Sequence, residues 1–139
     1  MGDRSRTVDA LITEALIELE LDLVAGYLFG SAARDELRQG SDFDVAILTA
    51  GTALTPVGRW ELEEQLAAKI NRDVDLVDMR SASTVMQMQI ISRGNVILDP
   101  APSARHAYEG RVYADYSRLN EERKHILDNI RDRGTVHGR

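Results

Sequence analysis

An α/β fold, with a small sheet flanked by helices and a long helix at the C-terminal end, is predicted by three observations on this 139-residue sequence. Short apolar runs rich in β-formers alternate with stretches of helical periodicity. Pro and Gly signals punctuate the boundaries between them. Beyond residue 102 an amphipathic stretch of about thirty residues runs without a breaker. Hydrophobic residues make up 43% and charged residues 29%, as in an ordinary globular protein. The size suits one domain with a single core.

Taken in order, Thr7 or Asp9 caps a first helix reaching about Glu20, with Val8, Leu11, Ile12, Ala15, Leu16 and Leu19 at helical spacing. The apolar run from 23 to 29 is a first strand. It closes on Gly30-Ser31, and residues 32–37 form a short helix that ends at Gln39-Gly40. Residues 41–48 are a second strand, followed by a loop at Thr49-Ala50-Gly51-Thr52. Thr55-Pro56 supplies an N-cap and a proline at the first helical position, opening a helix to about Ile70. Trp60, Leu62, Leu66 and Ile70 form its buried stripe. Val74-Asp75-Leu76-Val77 is a third strand, with Asp78 solvated after it. Ser81 or Ser83 starts another helix that stops near Gly94, and residues 95–98 make a last short strand. After Asp99-Pro100-Ala101-Pro102, a helix from 103 to about 133 carries Tyr108, Val112, Tyr116, Leu119, Ile126 and Ile130 on one stripe. Gly110 weakens it by about 1 kcal/mol relative to alanine, and residues 134–139 fray.

Composition excludes several classes. The chain has no cysteine, which rules out disulfides and thiolate metal sites. No apolar run approaches membrane-spanning length and the first residues are polar, so a cytoplasmic protein with no membrane association is expected. Net charge is −6, which argues against direct nucleic-acid binding. The charge is uneven: residues 1–103 hold 9 Lys/Arg against 17 Asp/Glu (−8), and residues 104–139 hold 8 against 6 (+2). An acidic body suits metal binding.

The chemistry lies in Phe29-Gly30-Ser31 and, ten residues on, Asp42-Phe43-Asp44-Val45. A Gly-Ser turn at a helix N-terminus presents backbone N–H groups to a phosphate, and glycine permits close approach. Residues i and i+2 of a strand share a face, so Asp42 and Asp44 project together while Phe43 and Val45 face the core. Two carboxylates beside a phosphate cradle make a Mg²⁺ site for a nucleotide triphosphate. Either half alone is common in α/β proteins; the combination is far more specific. A third acid comes from the 73–78 segment. Asp75, flanked by Val74 and Leu76, is the first choice if its strand pairs with the second; Asp73 is the second choice. Three clustered carboxylates repel unless cations share the site. Two Mg²⁺ ions on Asp42, Asp44 and Asp75 offset this, one binding the triphosphate and one activating the attacking hydroxyl, with Asp75 as general base. The reaction class is in-line nucleotidyl transfer with pyrophosphate leaving toward Gly30-Ser31.

These residues resemble the signature of the DNA-polymerase-β-like nucleotidyltransferase superfamily: Gly-Ser, a spacer, Asp-x-Asp, and a third Asp on a later strand. With Gly30-Ser31-Ala32-Ala33-Arg34, Ser41-Asp42-Phe43-Asp44-Val45, Val74-Asp75-Leu76-Val77-Asp78, the Ile90 to Leu98 segment and the final helix, the chain more closely resembles the MntA family of antitoxins, encoded beside HEPN toxins of the HepT family. The resemblance implies the polymerase β-like fold with a small mixed sheet. Residues 1–102 would be the nucleotidyltransferase core, and 103–139 the C-terminal helix and tail of the same domain. It implies an adenylyltransferase that moves AMP from ATP to a tyrosine of a HEPN RNase toxin, in a hetero-oligomer with it. Asp42, Asp44 and Asp75 would be catalytic and metal-binding, with Gly30, Ser31 and Arg34 on the nucleotide. Arg34 is equally suited to a salt bridge under the loop, and Ser41 either orients Asp42 or caps the turn. A binding-only antitoxin with a vestigial nucleotide site is one alternative. A small-molecule transferase is another, although 139 residues leave little room for a substrate domain. His106, His125 and His137 lack ligand spacing and are assigned to solvent. Tyr108, Tyr113 and Tyr116 are conceivable self-modification targets, with helix packing favoured for Tyr108 and Tyr116.

Overall fold

The computed structural model describes residues 8–30 and 42–137, with side chains described to 133. Its elements are α1 (Val8–Glu18), β1 (Leu23–Phe29), β2 (Phe43–Thr49), α2 (Pro56–Ile70), β3 (Val74–Asp78), α3 (Thr84–Arg93), β4 (Asn95–Leu98) and α4 (Pro102–His137). Thr7, the 32–37 helix, Gln39-Gly40 and Ser41 lie outside the described residues. No described helix is long and apolar enough to cross a membrane.

Four strands form one mixed sheet in the order β3-β2-β1-β4. β1 pairs antiparallel with both β2 and β4, and β2 pairs parallel with β3. A parallel pair needs a long crossover, which α2 supplies. Thr55 caps α2 by accepting a hydrogen bond from the Gly58 N–H at 3.0 Å, with Pro56 at the first turn. At its other end Asn71 turns left-handed (φ 58°) and returns the chain to β3.

The sheet is buried on both faces, which explains why β1 and β2 are nearly continuous apolar runs. One face packs on α1 and α2, where Ile12, Leu16, Phe43, Val45, Ile47, Leu62, Leu66 and Leu76 meet. The other packs on α3 and α4, through Tyr27, Ala46, Leu48, Met79, Ile90, Tyr108 and Val112. A register shift between Leu23 and Ala25 breaks the alternation, so that the adjacent Val24 and Ala25 both serve the α3/α4 face. α4 is tied to the sheet by polar contacts as well. The Tyr27 hydroxyl donates to Glu109 at 2.8 Å, and Arg105 spans Glu109 and Asp99 at 3.1 and 2.8 Å. The Arg105 guanidinium holds the Asp99 carboxyl below its ordinary range.

Most boundaries follow the sequence, and five features differ. α1 stops at Glu18 rather than about Glu20, because Glu20 adopts a left-handed φ of 54°. Trp60 is 55% exposed; at about 100° per residue it stands roughly 200° around α2 from Leu62, off the Leu62–Leu66–Ile70 stripe. Asp78 belongs to β3 and is buried instead of solvated. Its carboxylate accepts from the Leu54 N–H at 2.7 Å, the Arg80 N–H at 3.1 Å and the Ser81 hydroxyl at 3.3 Å. That coverage offsets its burial. α4 continues to His137, through the segment expected to fray. Finally, the α4 stripe divides: Tyr108 and Val112 are buried, whereas Ile126 and Ile130 are exposed.

Candidate active site

Three strand ends converge at one edge of the sheet. β1 runs antiparallel to β2, so its last residues lie beside the start of β2, with Phe29 opposite Asp44. β3 runs parallel to β2, so both begin at this edge and Asp44 stands directly opposite Asp75. The two acids alternate with Phe43, Val45, Val74 and Leu76, which are buried against α1 and α2. Asp44 and Asp75 therefore project to the α3/α4 face. Asp42 is exposed and immediately precedes β2, so it meets Asp44 from the loop side rather than as a residue of the strand.

Local contacts fix this edge. The Phe43 N–H donates to the Asp73 carbonyl at 3.0 Å, fastening the starts of β2 and β3 together. The Arg72 guanidinium lies 4.6 Å from the Phe43 ring centroid, a cation–π contact. Asp73 itself is exposed. Gly30 follows β1 with a left-handed φ of 73°, and a Cβ there would collide with the Asp44 carboxylate, whose Cγ would be 2.9 Å away. Any larger residue would press on the acid.

The electrostatics report the same cluster. Burial, then the Asp75 carboxylate, then that of Asp42, holds the Asp44 carboxyl above its ordinary range. Like charges raise the cost of ionising one another, and a shared cation relieves it. Carboxylate oxygens are the hard donors that Mg²⁺ takes, so the chemistry of the donor set fits that ion. Among the described residues, no three His, Asp or Glu side chains stand close enough together to hold a metal ion as they are placed.

Beside Gly30 a cleft of about 210 Å³ opens between the end of β1 and α3, lined by Phe29, Gly30, Met86, Gln89 and Arg93. Sequence reasoning missed the α3 wall. Its signal was present: Met86, Gln89 and Arg93 recur at spacings of three and four, the period of one helix face. Only the pairing of β4 with β1 reveals that this face meets Gly30. Ser31 and Arg34 lie outside the described residues. His106 and His125 are exposed, as expected; Tyr108 is buried, Tyr116 half-buried and Tyr113 46% exposed.

Residues 12–102 match the family described as Polymerase beta, Nucleotidyltransferase. The chain belongs to the polymerase beta nucleotidyltransferase family. Within the nucleotidyltransferases it is similar to the protein adenylyltransferase MntA of Shewanella oneidensis, with 38% identity over 104 residues, covering 75% of this chain and 73% of MntA. Among solved structures it resembles a chain from a toxin–antitoxin crystal structure with AMP-PNP, at 33% identity and a TM-score of 0.76, covering 88% of this chain and 98% of that one. It also resembles a chain from the tri-AMPylated Shewanella oneidensis HEPN toxin in complex with MNT antitoxin, at 32% identity and a TM-score of 0.70, covering 88% and 98%. The nucleotidyltransferase fold and the MntA resemblance read from the sequence are borne out.

Proposed function

We propose that this nucleotidyltransferase is the antitoxin of a HEPN/MNT pair, a cytoplasmic Mg²⁺-dependent protein adenylyltransferase that transfers AMP from ATP to a tyrosine of its HEPN toxin. The observation that supports this most directly is the register pair Asp44–Asp75 beside Gly30, within a chain 38% identical to a protein adenylyltransferase. Asp42, Asp44 and Asp75 are the residues that would hold Mg²⁺. The ion, when bound, neutralises triphosphate charge and lowers the pKa of the acceptor hydroxyl.

The chain's own groups account for the rest. Gly30, joined in sequence by Ser31 and Arg34, receives the triphosphate where no side chain blocks its approach. The tyrosine oxygen attacks the α-phosphorus, a new P–O bond forms, and the bond to the bridging oxygen of the β-phosphate breaks. Pyrophosphate leaves on the Gly30 side, and Asp75 accepts the phenolic proton. Holding acceptor and phosphorus in line supplies most of the acceleration.

The test is to incubate the protein with ATP, Mg²⁺ and the HEPN-family protein encoded beside it, and to measure the intact mass of that partner. Stepwise gains of AMP are expected, with loss of its RNase activity. An Asp42→Ala/Asp44→Ala variant should reduce transfer by at least about 10³-fold, the scale of removing a principal electrostatic group. An unmodified partner that is still silenced by the double variant would establish a binding-only antitoxin instead.

A further inference from the structure

α3 ends at the edge of the sheet where the acids stand. Asn95, two residues past Arg93 at the end of α3, pairs with Leu28, and the next residue of β1, Phe29, lies opposite Asp44. Gly94 closes the helix by donating its N–H to the Ile90 carbonyl at 2.8 Å. A Cβ at Gly94 would come within 3.1 Å of the Leu28 carbonyl oxygen and 3.2 Å of the Phe29 Cβ. Arg93 is therefore rooted against the end of β1, and it lines the cleft that contains Gly30.

Its guanidinium is uncommitted. Arg59, Arg105 and Arg118 each pair with a carboxylate on their own helix. α3 carries no acid at all, and among the described residues no carboxylate pairs with Arg93. The negative end of the helix dipole favours a cation in the last turn; it does not account for one that faces this cleft. Of the described lining residues, Phe29, Gly30, Met86, Gln89 and Arg93, only Arg93 is charged. Strand order sets what passes it. In the order β3-β2-β1-β4, Asp44 and Asp75 stand to one side of Gly30, while Arg93 leads into β4 on the other. A triphosphate with its α-phosphorus at the acids that crosses the Gly30 backbone runs on toward Arg93.

We infer that Arg93 binds the β- and γ-phosphates of the nucleotide and holds the departing pyrophosphate. This rests on the nucleotidyl-transfer reading above and adds to it a residue from an element that carries none of the acids. The planar guanidinium offers paired N–H donors that match phosphate oxygens. A fixed cation there offsets the charge that builds on the bridging oxygen as its bond to the α-phosphorus breaks.

The experiment uses the full chain with Mg²⁺ and measures by calorimetry the Kd of AMP-PNP, pyrophosphate and AMP for the wild type, Arg93→Gln and Arg93→Lys. Arg93→Gln should weaken AMP-PNP and pyrophosphate by about 10- to 100-fold, the scale of a hydrogen bond to a charged group, and leave AMP unchanged. Arg93→Lys should recover part of the loss, because it keeps the charge and gives up the fork. In transfer to the HEPN-family partner, the KM for ATP should rise by a similar factor while kcat falls less. The urea midpoint should not move, since Arg93 is exposed. Equal Kd values for AMP-PNP and pyrophosphate in the wild type and Arg93→Gln overturn the inference and leave the transferase reading intact. A loss that extends equally to AMP also overturns it, because Arg93 would then act on the shape of the site rather than on the outer phosphates. A wild-type protein that binds neither AMP-PNP nor pyrophosphate overturns the nucleotide site itself, and this inference with it.

Discussion

A methyl group added at Gly30 would enter the space held by the Asp44 carboxylate, on a backbone already in the left-handed region. Both penalties fall on one residue. The left-handed conformation alone costs an alanine about 1–2 kcal/mol, and the collision displaces the acid. Gly30→Ala is expected to lose about 2 kcal/mol of stability in urea unfolding, and a larger share of adenylyl transfer than its stability loss explains. Asp78 carries the opposite lesson. Its sequence context, at the end of a strand beside a polar turn, reads as solvated; its place under the Leu54 loop and the Arg80 turn makes it a buried anchor. Strand alternation turns it to the face opposite that of Asp75, three residues earlier. The difference lies in the side of the sheet each faces and in what covers that side.

Helices show how far periodicity carries and where it stops. Thr55-Pro56 and Ser83 cap α2 and α3 as their chemistry dictates, because capping depends on neighbours within three residues. Trp60 leaves the expected stripe because hydrophobicity alone does not set its angle around the helix. In α4, Gly110 is a helix-interior glycine in open space: a Cβ there would meet nothing within 4 Å. Gly110→Ala is therefore expected to stabilise the protein by about 0.5–1 kcal/mol, seen as a higher urea midpoint at unchanged m-value. The contrast with Gly30 is one of surroundings, not of residue type. The amphipathic stripe of α4 was legible from end to end; that only its first part finds a core in this chain was not.

At the scale of the molecule, charge is concentrated by topology. Parallel pairing of β2 with β3 puts Asp44 opposite Asp75, and the antiparallel return from β1 brings Gly30 alongside. The resulting rise in the Asp44 carboxyl has a definite thermodynamic sign. A proton on Asp44 favours the folded state, so its contribution is most favourable at pH below the ordinary carboxylate range and is lost as pH rises through the raised value. Asp44→Asn should consequently melt at a higher temperature than the wild type at pH 7 in EDTA, with the advantage vanishing toward pH 3. Added Mg²⁺ should raise the melting temperature of the wild type more than that of the variant, because binding to the folded state stabilises it.

Sequence alone was enough for the residue types and spacings on which the proposed chemistry rests, namely Gly30, the Asp42/Asp44 pair and an acid within the 73–78 segment, and for the order of the described helices and strands. These depend on short-range physics, namely glycine's freedom, strand alternation, caps and helical period. The tertiary structure decided which acid of that segment stands beside Asp44, that α3 lends Met86, Gln89 and Arg93 to the cleft beside Gly30, that Asp78 is buried, and that half of the α4 stripe is left uncovered. Each of these depends on strand register and on which elements become neighbours, and residues far apart in the chain acquire those relations only when the sheet assembles.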